Sequence, residues 1–166
     1  RVLEVYTGTV AITGLTLANG EHGITDFNYD GGGGLYVASS VHLTGNDLTI
    51  MANEARGDGG GINNLGIMTL TNSLIYSNTT QGNGGGIRNH GVLTLTNIVF
   101  SGNTIDNTYT EGCCKGGAGI ANAGILRMED SQLTDNIVVV TGHAAGGGFY
   151  NLFAGIANLS RVQLSG

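Results

Sequence analysis

Residues 59–78 read GGGINNLGIMTLTNSLIYSN, and residues 83–103 read NGGGIRNHGVLTLTNIVFSGN, the same phrase displaced by twenty-five residues. Repetition at that period restricts the chain to stacked architectures, in which each repeat is one structural unit lying on the next. With the position before the L-T-L-T run as origin, Gly8, Ser39, Gly66, Gly91, Gly124 and Gly155 fall into register, giving about six copies. Four residues before the origin stands an apolar residue, Leu35, Ile62, Ile87 or Ile120; Phe149 stands six before, so the last copy carries a two-residue insertion.

Two and four residues after the origin come Val10 and Ile12, Val41 and Leu43, Met68 and Leu70, Leu93 and Leu95, Leu126 and Met128, Ala157 and Leu159. Apolar residues at every second position mark a strand with one buried face. Position six holds Gly14, Gly45, Asn72, Asn97, Asp130 or Arg161, and all but Arg161 are residue types that enter left-handed backbone cheaply, so a sharp corner is expected there. The second copy stays in line only with two extra residues, placed near Asn46 and Asp47. A third short strand then ends at Leu17, Ile50, Ile75, Phe100, Leu133 or Leu164.

Three short strands per repeat, each with one apolar face and separated by corners, specify an all-β right-handed parallel β-helix of about six coils, a single domain over residues 1–166. Stacking at about 4.8 Å per coil pairs each strand with its equivalents above and below, so six coils span roughly 28 Å. Two series of asparagines recur at fixed places, Asn64, Asn89, Asn122 and Asn151, and Asn53, Asn78, Asn103 and Asn136. Stacked, they are expected to hold the corners through side-chain ladders, a structural role.

Composition narrows the function classes. A net charge of −6 with 11% charged residues leaves no basic stripe, which argues against a nucleic-acid partner. The longest aliphatic run, residues 137–140, is too short to insert in a membrane. Glycine is frequent (31) and proline absent, yet 40% of residues are hydrophobic and in strict register, unlike a disordered chain. The chain starts and stops inside its repeat, and is expected to be a piece of a longer exported protein.

Most length variation falls at one place. From the recurrent asparagine (or Gly20) to the next G-G apolar residue the separations are fifteen, nine, nine, seventeen and thirteen residues, so the inserted loops share one edge of the solenoid. Binding function concentrates on such edges. These loops contain Asp26, Phe27, Tyr29, Asp30, Glu54, Arg56, Asp58, Tyr109 and Glu111, carboxylates interleaved with aromatics that suit a carbohydrate or a protein partner. No cofactor is expected; calcium is the ion for which Asp26, Asp30, Glu54 and Asp58 offer hard oxygen ligands. Adjacent Cys113 and Cys114 lie in the longest loop and read as a loop lock, while a metal site with His143 lacks a fourth ligand. Arg56, Gly57 and Asp58 spell the tripeptide that integrins recognise, but three residues match cheaply by chance and Gly57–Asp58 serve equally as a turn.

The motifs GGGI at residues 59–62 and 84–87, GAGI at residues 117–120, and F-x-x-N at Phe100 to Asn103 resemble the repeat of chlamydial polymorphic outer-membrane proteins, within the pectin-lyase-like β-helix class. That resemblance covers essentially the whole chain and implies an extracellular or bacterial cell-surface passenger, often an adhesin. Only one copy carries the Phe of F-x-x-N.

Catalysis on acidic polysaccharide requires convergent charged groups on the outer faces. The outward positions of the middle strand hold instead Ala11 and Thr13, His42 and Thr44, Thr69 and Thr71, Thr94 and Thr96, Arg127 and Glu129, Asn158 and Ser160. Arg127 with Glu129 reads as a surface ion pair, and the Thr rows, regular in two coils only, read as ordinary strand residues rather than an ice-matching face. Beside the G-G motif the outward residues are Tyr36, Asn63, Arg88, Ala121 and Tyr150. The expectation is therefore a non-catalytic spacer, adhesin or self-assembling component that binds on its loop edge. A carbohydrate-active enzyme, lyase or glycoside hydrolase, is the alternative.

Overall fold

The computed structural model describes residues 1–23, 31–108, 115–141 and 143–166. Asp26, Phe27, Tyr29, Asp30, Tyr109, Glu111, Cys113 and Cys114 lie outside the described residues. Among the described residues every regular element is a strand, and the strands stack in sequence order as a parallel β-helix.

Six strands, Leu3–Val5, Leu35–Val37, Ile62–Asn64, Ile87–Asn89, Ile120–Asn122 and Phe149–Asn151, build the first sheet. Ile62, Ile87 and Ile120 are Cα partners on consecutive rungs and fully buried. The second sheet holds Gly8–Thr13, Val41–Asn46, Ile67–Tyr76, Val92–Ser101, Ile125–Thr134 and Ile156–Ser165, with Thr16–Ala18 and Thr49–Met51 completing its first two rungs. Alternation puts Met68, Leu70, Leu93, Leu95, Leu126 and Met128 inside, and Ile75, Phe100 and Leu133 close the core beyond the corner.

The division into three main sheets, beside a two-stranded one of Lys115–Gly116 and Ala144–Ala145, differs from the one the pattern suggests. Residues on both sides of the position-six corner belong to one bent sheet, with single strands running through Asn72, Asn97, Asp130 and Arg161. The third sheet comes later, after the recurrent asparagine, in what reads as connecting loop: Glu21–His22, Glu54–Ala55, Thr79–Thr80, Thr104–Asn107 and Ile137–Val140. Most of these segments are too short, and Ile137–Val140 too uniformly apolar, to show a period of two, and they are strands because neighbouring rungs satisfy their backbone groups.

The second copy also departs from the expected register. Leu43 pairs with Met68 and Gly45 with Leu70, so the two extra residues lie in the turn before Val41 and not near Asn46 and Asp47. The left-handed corner there is Asp47 (φ 55°) rather than Gly45. Gly45 occupies a core slot already filled from both sides, where a Cβ would sit 2.6 Å from Leu70 Cδ2 and 2.7 Å from Leu48 Cδ1.

Arg161 does adopt the left-handed corner (φ 52°), and its Nη2 donates to Asp130 Oδ2 at 2.9 Å while Nε also reaches the same carboxylate. A two-toothed ion pair between successive corner residues offsets part of the cost of that backbone. It also holds the Asp130 carboxyl below its ordinary range.

Candidate functional site

Two asparagine ladders run along the coils, buried except at their last members, Asn136 (half-buried) and Asn151 (exposed). Asn53, Asn78, Asn103 and Asn136 stack with each Nδ2 donating to the next Oδ1 at 2.9, 3.0 and 2.9 Å. The same Oδ1 atoms accept the preceding rung's backbone N–H at 3.1 Å, and Nδ2 of Asn78 and Asn103 also reaches the carbonyls of Ile50 and Ile75. Asn64, Asn89, Asn122 and Asn151 form the second ladder, at 2.8, 2.7 and 2.8 Å. From the second rung on, each coil thus carries a polar hinge, and the coil cannot slip without exposing several unpaired groups in a dry interior.

A second left-handed corner immediately precedes the first ladder, at Asn19, Ala52, Ser77, Gly102 and Asp135. Ala52 and Ser77 carry no residue-type signal for it, so only the stacked geometry reveals this turn. Past it the chain enters the third sheet, where Glu21 and Glu54 are register partners with exposed side chains. They bring two carboxylates together, but among the described residues no group of three or more His, Cys, Asp or Glu gathers to hold a metal.

Of the other described edge residues, Arg56 is exposed, whereas Asp58 turns back onto the first sheet. Asp58 Oδ1 accepts the Asn83 backbone N–H at 2.7 Å, and Oδ2 lies 3.1 Å from Arg88 Nε. The carboxylate that an integrin would need is therefore engaged within the protein.

The outer face of the first sheet, which alternation assigns to solvent, is closed. Tyr36 is 9%, Asn63 3%, Arg88 6% and Ala121 0% exposed. They form one column with Tyr150, each the Cα partner of the next. At its beginning Arg1 lies over the Tyr36 ring, 4.6 Å from the centroid, and binds Glu4 at 2.7 Å.

At the centre of the column Arg88 Nε also donates to His90 Nε2 at 3.0 Å. Acting as acceptor there, His90 carries its proton on Nδ1 and is neutral. Partial desolvation, and then the positive charge of Arg88, hold its pKa below the ordinary histidine range. Burial also pulls the Arg88 pKa down, opposed by Asp58. Arg88 Nη1 and Asn63 Oδ1 are both buried without a hydrogen-bond partner. Nothing in the repeat pattern marks this cluster, because its members come from an edge turn, a G-G strand and the turn after it.

The outer face of the second sheet is plainer. Thr69 pairs with Thr94 and Thr71 with Thr96, but the next rung substitutes Arg127 and Glu129. No ion pair joins those two; Glu129 instead lies 3.8 Å from Arg161.

Comparison of the chain with family models, with curated proteins and with solved structures returns no match.

Proposed function

We propose that this chain is a non-catalytic β-helix of the extracellular space or bacterial cell surface, a rigid spacer of the polymorphic outer-membrane repeat type whose loop-bearing edge binds a carbohydrate or a cell-surface protein. The observation that carries this reading is the contrast between fixed and variable parts of each coil. Two sheets and both asparagine ladders keep one register from rung to rung, while most of the inserted length falls at a single corner. A scaffold of constant geometry with variable loops on one side suits recognition. The charged cluster nearest that edge, Asp58 with Arg88, is internally paired, which suits positioning better than acid–base turnover.

The test sets binding against turnover. The protein is incubated with pectate, alginate and hyaluronate while unsaturated products and reducing ends are followed, and the same preparation is applied to immobilised glycans and to whole cells. Saturable binding without new chain ends is the expected result. Time-dependent cleavage of any of the polymers would replace this reading by the polysaccharide lyase or hydrolase. Filaments in negative stain with a coil-stack repeat, without glycan or cell binding, would replace it by self-assembly.

A further inference from the structure

We propose that the outer face of the second sheet pairs with the same face of a second copy of this chain, through a row of exposed aliphatic side chains, Ile67, Val92, Ile125 and Ile156, that runs along the coil axis. The pairing goes beyond the binding reading above and stands or falls separately from it.

Register builds the row. Ile67, Val92, Ile125 and Ile156 each follow an origin glycine directly and are successive Cα partners. They are 45%, 36%, 47% and 58% exposed. On the two preceding rungs the same column holds the exposed polar residues Thr9 and His42, so the apolar row has a defined beginning. Rungs lie about 4.8 Å apart, and the four side chains therefore form one strip about 14 Å long rather than scattered surface residues. An aromatic stands at its far end. The turn entering the second sheet is one residue before the glycine in three rungs, Leu65, His90 and Ala123, but Leu152, Phe153 and Ala154 in the last, and Phe153 is completely exposed. Aromatic side chains are enriched at protein interfaces.

Charge and symmetry say what covers the face. Beside the row run Thr69, Thr94, Arg127 and Asn158, and then Thr71, Thr96, Glu129 and Ser160. A two-fold axis parallel to the strands, crossing the stack between Val92 and Ile125, lays each row on itself in reverse order, as an isologous interface requires. Ile67 then meets Ile156 of the second copy and Val92 meets its Ile125, while Phe153 comes opposite the half-buried Leu65. Arg127 falls opposite Thr94 and Glu129 opposite Thr96, so no like charges face each other and each charge gains a hydroxyl partner. Among the described residues Arg127 makes no ion pair, which leaves its charge available. The face measures about 20 Å by 20 Å. With roughly 200 Å² more from each Phe153, the pair buries about 1,200 Å², the lower end of specific interfaces, so the dimer is weak and reversible. The loop edge lies on the other side of the first sheet and stays free in both copies, and a pair presents two such edges at once.

The experiment is sedimentation equilibrium of the full chain at loading concentrations from about 10 μM to about 1 mM, the range of weak association. A reversible monomer–dimer equilibrium is expected, with its dissociation constant raised tenfold or more by Ile125→Thr and by Phe153→Ser. Leu74→Thr and Ile137→Thr remove aliphatic side chains of similar exposure, 45% and 55%, that lie away from the row, and should leave the constant within twofold. A methyl NMR dilution series on the unaltered protein is independent of variant folding, and its shift changes are expected at Ile67, Val92, Ile125 and Ile156. A monomer over the whole range, an equal loss in Leu74→Thr, dilution shifts that spare the row, or filaments joined through the end coils each overturn the inference. A monomer that still binds glycans or cells sinks this inference and keeps the binding reading; a dimer that binds neither does the reverse.

Discussion

At the scale of single residues, the asparagines separate by what their loss would strand. Asn78 joins three rungs: it accepts from Asn53, donates to Asn103 and covers the Ile50 carbonyl. Replacing it by Ala leaves several buried groups unpaired, and a loss of about 3 kcal/mol or more is expected in chemical denaturation. Asn72 also bonds along a column, to Asn46 and Asn97, but in solvent, so Asn72→Ala should cost about 1 kcal/mol or less. Asp58→Asn leaves the Arg88 cation buried beside a weaker partner, and a loss of about 3 kcal/mol is expected. His90 gives the pH dependence. Its pKa is lowered on folding, so the unfolded chain takes up its proton first as pH falls. Its contribution is therefore complete above about pH 6.5 and is lost as pH drops towards the folded value. Melting temperatures from pH 8 to 5 should fall less steeply for His90→Gln, which keeps an acceptor for Arg88 without titrating; parallel curves would refute the assignment. These side-chain roles were unequally legible. The asparagine series stand out as repeats, whereas Asp58, Arg88 and His90 are single charged residues that the winding brings together.

At the scale of the element, the controlling distance is the gap between rungs. A Cβ on Gly85 would lie 2.6 Å from the Ala118 carbonyl and 2.8 Å from that of Thr104, both backbone atoms that cannot move without parting the sheets. Gly102 is left-handed (φ 59°), but the nearest atom to its Cβ would be Ser77 Oγ at 4.0 Å. Gly102→Ala is expected to cost about 1 kcal/mol, the left-handed penalty alone, and Gly85→Ala clearly more, read as the larger fall in melting temperature. The column just past the position-six corner shows a rule that depends on stacking: Leu48, Ser73, Ile98, Ser131 and Val162 alternate large and small along the axis. Each serine Oγ accepts the backbone N–H of the large residue on the rung before it, Leu48 or Ile98, at 3.0 Å. In a single repeat these serines look like ordinary polar residues next to a corner. Their burial follows from the neighbouring rung.

At the scale of the molecule, contacts join each coil to its neighbours, so stability should vary along the axis. The interior residues of the coils from Leu35 to Leu133 are almost completely buried. At the last rung Leu159 and Leu164, register partners of the buried Met128 and Leu133, are 40% and 54% exposed. Amide hydrogen exchange is accordingly expected to be slowest at Leu70, Leu95 and their rung partners and fastest in Ile156–Ser165, with a graded profile between. Uniform protection over all six rungs would contradict a nearest-neighbour solenoid. The loop edge is a whole-molecule property too, since it exists only because insertions separated by one coil of sequence are stacked on the same side.

The sequence alone determined the coil, its period, the inward-facing aliphatic columns and the corner at position six, because each follows from a local pattern of apolar alternation and backbone preference repeated several times. Tertiary structure decided the third sheet, the left-handed turn at Ala52 and Ser77, the register of the second copy and the closed outer face holding Asn63, Arg88 and Asp58. Those depend on which atoms of one rung meet the next, and that distance across the stack leaves no periodic trace within a single repeat.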